Sequence, residues 1–292
     1  MDDDLRIVFE SRNRRSCADR SLVLAAAGIP HQVLQDPGGS MIVVPAEHSA
    51  QAIEEISIYD EANPPLIPKP RKAIRYQNAM PGIVAYVLTV CAVAWLAGDA
   101  AFGDNWFSAG RVDGVLVRAG EIWRTVTALT LHSGLGHLAG NLVFGVLFGL
   151  FAGRLLGSGV AWLAIVATGA LGNLLNALVL APDHRSIGAS TAVFAALGLV
   201  AGYVWRARLM SQERWVYRHG PIVGGLALLM YTGTGNENTD IGAHLFGFLC
   251  GFVGGLLLTF AGDRILDDRW QWLCGVAAVL LVSGAWAVAL LH

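Results

Sequence analysis

A serine, two histidines and an asparagine stand at the ends of three apolar stretches. The segments are His137-Leu138-Ala139-Gly140-Asn141, Gly188-Ala189-Ser190-Thr191 and Gly242-Ala243-His244. In hydrocarbon an unpaired polar group is costly, so polar side chains kept within apolar spans are functional candidates by default. These residue types also suit acyl transfer: a hydroxyl nucleophile, an imidazole base and spare donors for an oxygen that becomes negative.

Taken singly, each residue has a plain structural reading. Ser190 could cap a helix or pack between helices, and His244 could be a satisfied histidine or part of a proton path. The glycines connect them. Phe194, Gly198 and Gly202 follow Ser190 at steps of four, while Gly247, Gly251 and Gly255 repeat at the same period after His244. Small-x-x-x-small faces let two helices touch backbone to backbone, and such a contact would bring Ser190 and His244 to one end. His137 and Asn141 are i and i+4, hence on one helix face, where they could bond neighbouring helices or serve as oxyanion donors. No acidic residue lies within a span near His244, since Asp240 is at a loop edge. The pattern therefore predicts a Ser–His dyad, with the Phe194 ring packed on His244. No third Cys, His or carboxylate completes a metal site with the two histidines, so neither metal nor cofactor is expected.

The elements that must carry these residues are apolar. Of 292 residues, 54% are hydrophobic and only 14% charged, against about 25% charged in a soluble domain. A span needs ~20 apolar residues. Segments 82–98, 136–153, 160–180, 189–205, 220–233, 241–261 and 270–291 are read as seven spans, the fifth being short. Arg206, Arg208, Arg214 and Arg218 precede that short segment, and Arg264 and Arg269 follow the sixth. If both basic loops are cytoplasmic, two crossings lie between them. Inner loops then hold eleven Lys and Arg, and outer loops four: Arg111, Arg118, Arg124 and Arg185. This predicts a cytoplasmic N-terminus, an outer C-terminus, and His137, Ser190 and His244 all near the outer face. The long outer loop 99–135, with Trp106, Phe107 and Trp123, is expected to carry its own structure in the membrane interface. The short fifth segment and loop 233–240 are expected to admit substrate.

Residues 1–62 read as a small α+β cytoplasmic domain. Strands are predicted over 5–9, 31–35 and 41–44 and helices over 16–27 and 46–59, an order that resembles a truncated ferredoxin-like domain. Residues 63–76 form a Pro-rich basic linker, and 77–292 the membrane-embedded domain. Cys17, Cys91, Cys250 and Cys274 are scattered and imply neither disulfide nor metal. The acidic start Asp2-Asp3-Asp4 argues against a signal or transit peptide. A net charge of −2 points to no nucleic-acid partner.

Five linked motifs across residues 80–261 resemble the rhomboid family of intramembrane serine proteases. They are Trp123-Arg124, His132, His137 to Asn141, Gly188 to Ser190, and Ala243-His244. The resemblance implies an all-α polytopic membrane protein with a six-helix core, to which 270–291 adds a seventh span. It implies Ser190 as nucleophile, His244 as general base and acid, and His137 with Asn141 as oxyanion donors. His132, Trp123, Arg124, Phe194 and Gly188 would support the site. The implied substrates are single-span membrane proteins cut near the outer face of a bacterial plasma membrane, within the lipid bilayer. A catalytically silent member that binds membrane clients is the alternative. Two positions depart from the family pattern: Thr191 where Gly commonly follows the nucleophile, and Phe194 where Tyr is frequent.

Overall fold

The computed structural model describes residues 4–36, 38–64, 75–207, 220, 223–225, 227 and 240–292. The chain divides into two units, Met1–Arg71 and Lys72–His292.

In the first unit, β1 (Leu5–Ser11), α1 (Arg14–Ala26), β2 (Gln32–Asp36), β3 (Gly39–Pro45) and α2 (Ser49–Ala62) form an antiparallel sheet of order β1-β3-β2 under two helices. The order follows from the chain: β2 and β3 are joined by a tight turn in which Asp36 Oδ1 accepts from the N–H groups of Gly38 and Gly39, both at 2.7 Å. Asn13 starts α1 by accepting from the Arg15 N–H. Cys17, Leu24, Ile42, Val44, Ala52 and Ile56 close the core, and Arg20 pairs with Asp60 to join the two helices.

The second unit is helical and multi-pass. Its long helices are α3 (Met80–Gly98), α7 (Leu135–Leu156), α8 (Ser158–Val179), α9 (Ser190–Ala207), α10 (Ile241–Leu258) and α11 (Asp268–Leu291). Six helices among the described residues are long and apolar enough to cross a membrane, the one starting at Ile241 running on in 3-10 form to Leu266. They correspond to the first four, sixth and seventh predicted spans, with each helix end at, or within three residues of, the predicted one. Of the predicted fifth span, 220–233, only residues 220, 223–225 and 227 are described, and of loop 233–240 only Asp240, so both predictions lie largely outside the described residues.

Between α3 and α7 the chain makes short helices α4 (Trp106–Gly110), α5 (Gly114–Arg118) and α6 (Arg124–Thr127), with β4 (Val112–Asp113) after α4. β4 pairs with β5 (Arg185–Ser186), which leads into α9. Long and irregular backbone of this kind must satisfy its own polar groups. Arg124 does much of that: its guanidinium donates to Glu121 at 2.6 Å and to the carbonyls of Ser108 and Arg111 at 2.7 and 3.2 Å.

α9 is the central helix. Its apolar window is 61% buried, against 22–33% in the other five. Burial this deep needs close neighbours, and small residues supply them. Gly198 and Gly202 of α9 sit on the carbonyls of Phe248 and Phe252, while Gly247, Gly251 and Gly255 of α10 sit on those of Thr191, Ala195 and Leu199. Each helix thus offers glycines to the other's carbonyls. α8 joins the same seam: a methyl on Gly172 would lie 2.8 Å from the Gly247 Cα.

The seam predicts the effect of bulk. A methyl on Gly198 would meet the Phe252 nitrogen at 2.8 Å, and one on Gly251 the Ala195 Cα at 2.8 Å. Gly198→Val and Gly251→Val should each lower the melting temperature in detergent, since overpacking costs about 1–3 kcal/mol or more. Gly284→Val, where nothing lies within 4 Å, should melt like the parent. Equal melting temperatures for all three variants would contradict the backbone-contact description.

Candidate active site

The end of the α9–α10 seam is where the polar residues gather. Ser190 is the first residue of α9 and follows Gly188, whose φ of +135° suits glycine. Gly188 is also tight on its open side. A methyl there would sit 2.8 Å from Cε1 and Nε2 of His137 and 3.5 Å from Ser190 Oγ. His137 and Ser190 therefore flank the same glycine. The Gly188 N–H donates to the Ala128 carbonyl at 2.9 Å, which fixes the turn into α9. The backbone N–H groups of that first turn have no intrahelical acceptor and mark the positive end of the helix dipole.

His244 lies in the first turn of α10 and is buried. Its ring stacks on Phe194, with centroids 4.5 Å apart and planes at 27°. Phe194 is one helical turn after Ser190, so this stack puts the imidazole on the Ser190 face of α9. The nearest backbone approach in that turn, Gly247 on the Thr191 carbonyl, is beside the serine. His244 Nδ1 has no partner among the described residues, so no carboxylate bonds to it there.

On α7, His137 Nδ1 lies 3.1 Å from Ser133 Oγ and 3.5 Å from the Ser133 backbone N–H. A Ser133 N–H that donates to Nδ1 would favour the tautomer with its proton on Nε2, the atom beside Gly188. Asn141 is buried one turn on. Its carbonyl accepts from the Tyr86 hydroxyl at 2.8 Å, while its side-chain Nδ2 has no partner among the described residues. A buried donor left over in this way is costly unless it has a use.

His132 is buried behind His137, ring to ring at 5.2 Å in an edge-on arrangement. Its Nδ1 contacts the Thr130 carbonyl at 3.2 Å. Burial, aided by the neighbouring His137, pushes its pKa down to about 4 against the Thr130 hydrogen bond. Arg124 and Trp123 lie in the α6 region and brace the loop rather than the serine; the Trp123 carbonyl accepts from Thr127 Oγ1 at 3.2 Å.

Sequence reasoning missed one cluster. Asp240 Oδ1 caps α10 by accepting from the Ala243 N–H at 3.0 Å, while Oδ2 accepts from Asn176 Nδ2 at 2.8 Å and His184 Nε2 at 2.7 Å. The helix that carries His244 is thereby tied to α8 and to the α8–α9 loop. The Asp240-to-Ala243 spacing was a readable cap signal; its long-range partners were not. Asp113 makes a second tie, to Arg185 at 2.9 Å. Burial opposes its charge, yet Arg185 and the N–H groups of Leu116 and Val115 hold its pKa below 3.8. A cavity of about 10 Å³, lined by Ser190, Gly188, Thr191, Asn173 and Asp240 among others, has room for one water molecule.

A hydroxyl at a helix N-terminus, an imidazole on the same helix face and a buried amide donor thus lie around one tight glycine turn in a helical, multi-pass unit. The Rhomboid domain family matches residues 119–260. The chain is 32% identical over 181 residues to the putative rhomboid protease YdcA of Bacillus subtilis, covering 61% of this chain and 87% of that protein. Rhomboid-like protease 1 of Toxoplasma gondii is 29% identical over 160 residues, with 54% of this chain and 53% of that protein aligned. Inactive rhomboid protein 1 of Drosophila melanogaster is 29% identical over 143 residues, 48% of this chain and 10% of its own length. The chain belongs to the rhomboid family.

The low pKa of His132 yields a pH prediction. A histidine held neutral in the fold but titrating near 6.5 when unfolded lends stability that is fully present above that value. That stability drains as pH falls from about 6.5 to about 4, because there the unfolded chain binds the extra proton. The melting temperature in detergent should drop across this window. His132→Gln should show a shallower drop from whatever starting value it has. A slope identical to the parent's would mean that His132 is protonated in the fold. Asp113 acts at lower pH: its depressed pKa gives stability present above about 3.8 and lost below.

Proposed function

We propose that this rhomboid is an active intramembrane serine endopeptidase that cuts single-span membrane proteins with a Ser190–His244 dyad. The observation that carries the proposal is the stack of His244 on Phe194 at the glycine seam, which sets a base on the face of α9 that begins with a serine. Ser190 Oγ attacks the carbonyl carbon of the scissile peptide as His244 takes its proton. The carbonyl oxygen becomes an oxyanion, met by the Ser190 backbone N–H, His137 Nε2–H and Asn141 Nδ2. His244 then gives the proton to the leaving amine, leaving an acyl ester on Ser190. Water, deprotonated by His244, hydrolyses the ester and restores the hydroxyl. His132, Gly188, Trp123 and Arg124 hold this arrangement without entering the chemistry.

A substrate must reach Ser190 with an unwound backbone, because helical carbonyls are already hydrogen-bonded. Spans weakened by Gly, Ala or Pro near the outer face are the suitable class. The excess of Lys and Arg on one side of the spans supports a cytoplasmic N-terminus and an outer C-terminus, in a membrane that this reading takes to be a bacterial plasma membrane. The β1-β3-β2 order of the N-terminal unit supports a truncated ferredoxin-like domain over 1–62, separated by linker 63–76 from the protease domain, 77–292. A client-binding role without catalysis is the reading that the inactive Drosophila relative would favour, but both Ser190 and His244 are retained in this chain.

Purified protein in detergent should cleave a labile transmembrane substrate, and Ser190→Ala and His244→Ala should each abolish turnover. The two groups act as a unit, so the double variant should be no worse than either single one. His137→Ala and Asn141→Ala should reduce kcat, by about 10²–10³ for loss of one donor, with little change in KM. Turnover surviving in Ser190→Ala would overturn the assignment.

A further inference from the structure

The last helix, α11, has no place in the mechanism above, yet it is fastened near both ends. Near its start, Gln271 Oε1 accepts from the Gly159 and Val160 N–H groups at 2.9 and 3.3 Å, and Nε2 donates to the Leu156 carbonyl at 2.8 Å. One side chain thus serves the end of α7 and the start of α8, where four carbonyls and four N–H groups lack helical partners. Fifteen residues on, about 22 Å along the helix, Trp286 is buried. Its Nε1–H donates to Thr130 Oγ1 at 3.0 Å, and its ring packs on Trp106 with centroids 4.7 Å apart. A methyl on Gly110 would strike the same indole at 2.5 Å.

Thr130 leads directly to the site. Its hydroxyl, accepting from Trp286, donates to the Thr127 carbonyl at 2.7 Å, and its own carbonyl meets His132 Nδ1. The His132 ring abuts His137, and His137 borders Gly188 and Ser190. A second route is apolar. Trp286 belongs to one cluster with Leu131, which is fully buried, and with Ile187, the residue before Gly188. A third link runs from Gly188 N–H to the Ala128 carbonyl. Segment 128–132 therefore touches both the His137 side and the Ser190 side of the site, and α11 lies behind it.

We propose that α11 is part of the working site and that Trp286 is a positioning residue: by fixing Thr130 and Leu131 it sets the rings of His132 and His137 against the turn into Ser190. The proposal rests on the protease reading for its kinetic consequence but not for its structural one. Trp286 touches no reacting group. Its effect comes through segment 128–132, and an error of about 1 Å in reacting groups can cost 10²-fold in rate. Trp286→Phe retains most of the ring packing and removes the donor; Trp286→Ala removes both.

Two measurements on the full chain in detergent test this. The first is hydrogen exchange of peptides covering 128–141 and 190–202. Trp286→Ala should raise exchange in the first and leave the second, on α9, unchanged; this needs no activity. Unchanged exchange in 128–141 would overturn the proposal even if the protein proves not to be a protease. The second is turnover. Trp286→Phe should lower kcat about 3- to 10-fold and Trp286→Ala about 10- to 100-fold, each with KM within about 2-fold. In a His137→Ala background the Trp286→Ala loss should shrink to less than about 2-fold, because the proposed effect passes through His132 to His137 and not through the Ile187 and Gly188 links to the Ser190 turn. Full multiplication of the two losses would overturn the route through His137 and make Trp286 a scaffold residue only. Absence of turnover in the parent, with raised exchange in 128–141 of Trp286→Ala, would refute the protease reading while upholding the positioning role.

Discussion

Two helices in this protein touch through their backbones, and the candidate site exists because of where that contact ends. Alternating glycines on α9 and α10 meet the partner's carbonyls at five places. Cα–H groups facing carbonyl oxygens contribute perhaps 0.5–1 kcal/mol each, and close approach adds dispersion along the seam. In water, five helical glycines would each cost about 1 kcal/mol relative to alanine. Within lipid, where burial of apolar side chains gives no drive for helix association, packing of this kind is the main source of it. With glycine at these five contacts, the two backbones have little room to slide or tilt. The relative height of Ser190 and His244 is fixed by backbone geometry, which is stiffer than any side-chain contact.

Many polar groups of the scaffold are paired: Asn173 with the Thr125 carbonyl at 2.8 Å, Thr127 with the Gly110 carbonyl at 2.7 Å, and Arg124 with three acceptors. Trp123 Nε1, Trp162 Nε1 and Asn176 Oδ1 are buried there without a partner among the described residues. At the site, Asn141 Nδ2 and His244 Nδ1 are buried without a partner among the described residues. Leaving such an atom unpaired costs about 1–3 kcal/mol. In the proposed mechanism these two atoms, costly in the resting fold, would gain their use when an oxyanion or an imidazolium forms, which is how a site binds a transition state better than its ground state. The paired scaffold and the apolar cluster behind it hold that arrangement in place.

Much of this was legible in the sequence wherever a local period carried it. The i and i+4 spacing of His137 and Asn141, the four-residue glycine steps and the Ser190-to-Phe194 turn all follow from helix geometry, whereas the meeting of the two glycine faces stood as a condition until the structure brought them together. The ties that join distant segments were not legible. Asp240 to His184 and Asn176, Asp113 to Arg185, and Trp286 to Thr130 bridge sequence separations of 56, 64, 72 and 156 residues. No periodicity connects such positions, and a tryptophan in a last helix reads from sequence as a membrane-interface anchor rather than as a donor to a buried threonine. Loop 99–135 was expected to hold structure of its own, but its short helices and the β4–β5 pairing depend on partners beyond residue 170. At helix ends the differences were small, because caps such as Asp240 are local.

In the proposed dyad, the α9–α10 contact makes Ser190 a nucleophile by setting His244 on the face of α9 that Ser190 begins. Site-resolved mass spectrometry after reaction with a fluorophosphonate tests this without any substrate. A single adduct on Ser190 is expected, with the rate of labelling cut at least about 100-fold in folded His244→Ala. Labelling of Ser190 at the parental rate in His244→Ala, or an adduct on another serine in its place, would contradict it.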